Sequence, residues 1–138
     1  MNRIKIIVLL LIVFSFSNIT AQEIDVSSKD AILKQRIYEK NKKKVLNYSM
    51  KQFDALFFDF SSKKASVTQV LTKEEFYTYT IQIAIFSDRL ASLYPEEKEI
   101  AEQNKKKWFA ESYEDYLLSK ESQKKYLYFY KLLAQLKI

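Results

Sequence analysis

Glu111, Glu114 and Asp115 are spaced three and four residues apart, so on a helix they share one face and could offer oxygen to a hard cation. A calcium site needs more oxygen ligands and a loop that wraps them, so these acids read as a solvated face. Glu74 with Glu75, and Glu96, Glu97 with Glu99, suit the first turns of helices, where negative charge meets the positive end of the helix dipole. No two acids have a spacing from which the paired carboxylates of a glycosidase can be argued. The chain has no His and no Cys, which removes the usual zinc ligands and the Ser-His and Cys-His nucleophile pairs. The expectation is a non-enzyme with no cofactor and no metal site.

Binding is the chemistry that the remaining residues suit. Lysines cluster at 42–44, 63–64, 105–107 and 124–125 and alternate with aromatic-rich stretches, and Tyr and Phe number ten each. Tyr presents a large apolar ring with a polar end at low entropic cost, which favours it at adaptable contacts. Lys42, Lys43, Lys44, Lys105, Lys106, Lys107, Trp108, Tyr126, Tyr128 and Tyr130 are the candidate partner-binding residues. If the clusters converge, an anionic lipid, a lipopolysaccharide or an acidic protein is the expected partner, and binding weakens with salt. Aromatic and lysine surfaces also serve nucleic acids, but an export signal argues against that ligand.

That signal lies in residues 1–21. Arg3 and Lys5 give a basic start, Ile6 to Phe16 is nearly continuous apolar chain, and Ile19-Thr20-Ala21 offers a cleavage site before Gln22. Ile4 to Phe16 is 13 residues, short of the roughly 20 that a spanning helix needs. The expected product is an exported protein, periplasmic or extracellular, whose membrane contact is through the signal segment before cleavage. Of the 138 residues 117 then remain, 22–138, enough for one helical domain with one core. Arg3 and Lys5 leave with the signal, so 21 basic groups face 17 acidic ones and the net charge is +4.

The elements that must position these residues read as helices. The chain has no Gly and one Pro, which fits long helices with few, tight connections. The expected fold is all-α, a small bundle of about four helices at roughly 29–60, 72–94, 96–118 and 120–137. Ser28 is a candidate cap for the first. Leu46, Met50, Phe53, Phe57 and Phe60 follow at four- and three-residue steps, and Ser49 with Gln52 fits a capping box that would break or kink this helix near Asn47. Thr72-Lys73-Glu74-Glu75 is a second capping box. The stripe Phe76, Tyr79, Ile83, Phe86, Leu90 and Leu93 follows it, against a competing period-two pattern over 77–85 that would suit a strand. Pro95 suits the first position of the third helix, and Ser119 is the candidate cap of the last, which is apolar nearly all round and should sit centrally or against a partner.

Two echoes add expectations. Ile37 to Lys44 recurs at Ile100 to Lys107 with six of eight positions matched, so a duplicated helix pair predicts equivalent places for Ile37 and Ile100. Leu71-Thr72-Lys73-Glu74-Glu75 resembles the Leu-Thr-x-x-Gln signature of the Spy and CpxP family of periplasmic helical chaperones, with Glu75 where the family has Gln. The resemblance implies a helical, concave, dimeric, chaperone-like binder of unfolded or envelope proteins. The overall expectation is a non-catalytic binding or adaptor protein of the bacterial envelope, whose partner is an envelope protein or an anionic envelope component. The alternatives are a structural subunit of a helical homo-oligomer and a carboxylate-only hydrolase.

Overall fold

The computed structural model describes residues 27–136, and among these there are helices and turns but no strand. The leader reading of residues 1–21 lies outside the described residues. The order is α1 (27–45), α2 (Met50–Ala65), α3 (Lys73–Leu93), a 3-10 turn (Pro95–Glu97), α4 (Lys98–Ala110) and α5 (Tyr113–Gln135). Two compact units divide the chain, Met1–Gln35 and Arg36–Ile138. The described part of the first is the opening of α1, residues 27–35, and all that follows concerns the second. No helix among the described residues is long and apolar enough to cross a membrane.

The all-α expectation holds, with different boundaries. The single helix expected over 29–60 is two, because the Ser49 box forms. The Gln52 N–H donates to Ser49 Oγ at 3.3 Å and the Ser49 N–H to Gln52 Oε1 at 2.9 Å. Asn47 closes the end of α1 from the other side by donating its side-chain amide to the Lys43 carbonyl at 2.7 Å. The helix expected over 96–118 ends at Ala110, since Glu111 is extended (φ −51°, ψ 134°). Ser112, not Ser119, caps the last helix by accepting from the Asp115 N–H at 3.3 Å. Ser119 lies inside α5 and donates to the Tyr116 carbonyl at 2.7 Å.

The centre of the fold is α3. It opens on the Thr72 box, in which the Glu75 N–H reaches Thr72 Oγ1 at 3.2 Å and the Thr72 N–H reaches Glu75 Oε2 at 2.8 Å. Phe76, Tyr77 and every residue from Thr80 to Ser87 are buried. That explains why residues 77–85 also read as a strand: a helix covered on all sides needs no polar face, so its periodicity fades. Around it, Phe53 of α2 stacks on Phe86 at 4.0 Å with the rings 6° apart, and Phe60 packs against Phe76 and Tyr79. Offset or stacked pairs of this kind contribute about 0.5–1.5 kcal/mol each beyond burial.

The start of α5 is tied to the segment before α3 by tyrosines. The Leu71 N–H donates to Tyr116 Oη at 2.9 Å, and Tyr113 Oη donates back to the Leu71 carbonyl at 2.8 Å. Tyr116 also stacks on Phe76 at 4.8 Å. Both polar groups of Leu71, a residue 2% exposed, are thereby satisfied.

Lys120, also in α5, is 2% exposed, and its Nζ donates to the carbonyls of Lys63, Lys64 and Ser66 at 3.1, 2.7 and 2.5 Å. These are carbonyls at the C-terminal end of α2, where the helix dipole is negative and partners are missing. Burial, with Lys124 nearby, pulls the Lys120 pKa below the usual lysine value. The three acceptors oppose that pull and favour the ammonium form.

The duplication expectation fails. Ile37 is 3% exposed and Ile100 is 56% exposed, so the two echoing segments hold different places in the fold.

Replacing Lys120 by Met keeps the side-chain length but leaves these carbonyls without their donor. We expect a loss of about 2–3 kcal/mol, read as a lower urea midpoint at an unchanged slope. A shift below about 0.5 kcal/mol would show that water replaces the ammonium without cost.

Candidate functional site

Two of the lysine clusters meet on one ring. Ile37 and Val45 of α1 are buried, and Asn41 between them accepts from Gln82 Nε2 of α3 at 2.8 Å while donating to the Ile37 carbonyl at 2.8 Å. That anchoring face leaves Tyr38 and Lys42, each one position further round the helix, directed along α4. Phe109 meets the Tyr38 ring edge-on at 5.9 Å. Lys42 Nζ lies 5.4 Å and Lys105 Nζ 5.7 Å from the Tyr38 ring centroid, within range of a cation–π attraction.

Beside this ring lies a cavity of about 670 Å³ lined by Asp88, Glu102, Lys105, Lys106, Phe109 and Ala110. Asp88 accepts from Lys105 Nζ at 2.7 Å, and Glu102 lies 3.9 Å from Lys98. Burial pulls the Lys105 pKa down, but the hydrogen bond and charge of Asp88, with Tyr38, outweigh it and leave the pKa raised. Lys105 is therefore a fixed cation at neutral pH, and Asp88 is its positioning partner.

The other candidate residues are distributed differently. Lys43, Lys44, Lys106 and Lys107 are exposed, and Lys44 lies 5.9 Å from the Tyr48 ring. Trp108 faces inward, edge-on to Phe57 at 6.2 Å and Phe60 at 6.1 Å, and helps to close the core beneath the lysine surface. Tyr126, Tyr128 and Tyr130 stand on the far half of α5 and are exposed. Glu111, Glu114 and Asp115 do not share a helical face, because Glu111 precedes α5. Glu111 pairs with Lys64 at 3.7 Å and Glu114 with Lys73 at 3.0 Å. No group of three acids among the described residues is placed to hold a metal ion.

One polar cluster escaped sequence reasoning. Tyr79 of α3 donates to Asp59 Oδ2 of α2, and Lys63 Nζ donates to the same oxygen at 2.9 Å and to Tyr79 Oη at 2.5 Å. Asp59 and Lys63 are four apart on α2, a visible pairing signal, whereas the tyrosine comes from another helix. The Tyr79 hydroxyl first, and then Lys63, hold the Asp59 carboxyl below its usual pKa, and Tyr79 and Asp59 raise that of Lys63. Burial, with Asp59, pushes Tyr79 up, so it stays a neutral donor. The arrangement pins α2 to α3. No known protein family, curated protein or solved structure matches the chain.

Asp59 and Glu75, whose pKa is lowered by the Thr72 backbone N–H and hydroxyl, give the fold an acid limb. Both are lowered on folding, so their contribution is present above the unfolded carboxylate values and is lost as pH falls through the folded ones. The thermal midpoint should be level from about pH 7 to about pH 5.5 and drop below about pH 4. Asp59→Asn should flatten that drop, and an identical pH profile in the variant would remove Asp59 from the account.

Proposed function

We propose that the chain is an exported, non-catalytic helical binding or adaptor module of the bacterial envelope, which holds an anionic partner on the lysine and aromatic surface where α1 and α4 meet. The observation that carries this reading is the convergence of Lys42 and Lys105 on the Tyr38 ring. Clusters 63 residues apart in sequence thereby bring two cations to a single ring, and a negative ligand bound there would meet both. Asp88 offsets the charge of Lys105, so Lys42 and the exposed Lys106 supply the local excess. Phe109 and Tyr38 supply apolar area beside those charges, which suits a partner that joins acid groups to a hydrophobic body. An envelope protein with an acidic, aromatic-bearing segment has this chemistry, and so does an anionic amphiphile. The alternative, a subunit of a helical oligomer, is favoured by a different surface, the exposed half of α5.

The test is titration of the purified chain with phosphatidylglycerol-containing vesicles and, separately, with polyglutamate. One of the two should bind, with affinity falling at least about tenfold between roughly 0.05 and 0.5 M salt. Lys42→Gln with Lys106→Gln, both at exposed positions, should weaken that binding several-fold while leaving the thermal midpoint unchanged. Absence of binding to either probe at low salt would defeat the proposal.

A further inference from the structure

The second half of α5 projects without cover. Beyond Lys120 no residue to Leu136 is buried, and Tyr126 is 66%, Phe129 54%, Tyr130 67% and Leu136 58% exposed. The described residues cover the start of this helix, through Tyr113, Tyr116 and Lys120, and cover the side-chain oxygen of Gln123 one turn further on. Contiguous exposed apolar surface of this kind marks a place where another molecule sits.

The spacing of the residues indicates which molecule. Tyr126, Phe129, Leu133 and Leu136 follow one another at steps of three, four and three, the seam of a helix that packs on a second helix of the same period. Tyr130 and Leu132 flank the seam on either side, and Lys124 and Lys131 lie on the opposite face, clear of it. We infer that α5 pairs with α5 of a second copy in an antiparallel two-helix seam, Tyr126 against Leu136 and Phe129 against Leu133 of the partner.

The register makes every seam layer apolar and sets Tyr130 and Leu132 near their own copies. It is closed by a twofold axis, so the same patch serves both partners and assembly stops at two. A parallel pair would gather Lys124 and Lys125 of both copies at one end. The antiparallel pair sets Lys125 of the two copies about 12 residues, or roughly 18 Å, apart along the axis, beyond the screening length of about 8 Å at physiological salt. The area suffices for a weak pair, because aromatic side chains bury about 150–250 Å² each. The exposed part of these residues is on the order of 500 Å² per copy, so full cover gives about 1,000 Å² in the pair, the size of a weak, reversible interface.

The chain has no cysteine, which makes cross-linking clean. The full chain should sediment as a dimer with a dissociation constant in the low micromolar range, roughly. Phe129→Asp, at an exposed position, should weaken association more than about tenfold, with a thermal midpoint unchanged at concentrations below that dissociation constant. Under mild oxidation an equimolar mixture of Tyr126→Cys and Leu136→Cys chains should form the mixed disulfide, while either variant alone stays unlinked. In the inferred register like positions lie about 15 Å apart along the axis, too far for a bridge that needs Cα atoms within about 7 Å. Each variant linking to itself would indicate a parallel pair and overturn the inference. So would a chain that is monomeric at about 100 µM, or one whose α5 binds phosphatidylglycerol vesicles instead of a second copy. Loss of the lysine surface by Lys42→Gln and Lys106→Gln should leave association unchanged, so this inference and the proposed function fail separately.

Discussion

Every α-helix leaves carbonyls at its end without partners, and the common remedy is a glycine in the left-handed region just past the last turn. This chain has no glycine, so its helices must be closed by side chains and tight turns. Asn47 reaches back to α1, Lys120 reaches across to α2, and Pro95 turns the chain out of α3. At the opposite ends Ser49, Thr72 and Ser112 cap α2, α3 and α5. The local remedies stay within one helix, whereas Lys120 comes from 54 or more residues away. The closure of α2 is therefore a tertiary interaction, and the secondary structure of one element depends on the docking of another.

The same logic explains which features were legible in the residues. Thr72 with Glu75 and Ser49 with Gln52 are local, so both boxes can be read directly, and the second one fixes the break that divides 29–60 into α1 and α2. Pro95 is local as well. The division at Glu111 and Ser112 was hidden because Trp108, Phe109, Tyr113 and Tyr116 continue an apolar pattern across it. That pattern belongs to two helices, with Trp108 turned to α2 and Tyr113 and Tyr116 to α3. Lys120 reads as one more surface lysine, because the carbonyls that need it lie in another helix.

The lysine surface was half legible. The clusters at 42–44 and 105–107 are plain in the sequence, but sequence cannot say that they meet, since this depends on the Asn41 to Gln82 contact that sets the rotation of α1 on α3. The repeat that links them misleads. Matching letters at Ile37 and Ile100 arise at positions of unequal burial, so the echo does not mark equivalent places in the fold.

Lys120 has one further consequence. It stands at the root of the projecting half of α5, and its ammonium clasps the terminal carbonyls of α2, with Tyr113 and Tyr116 gripping Leu71 a turn or two earlier. The projecting rod is thus a lever whose fulcrum is a charged ball held in a cup of backbone oxygens. Torque applied at Phe129 or Leu136 arrives first at the end of α2, so a load on the tip is felt as fraying of a helix that the tip never touches.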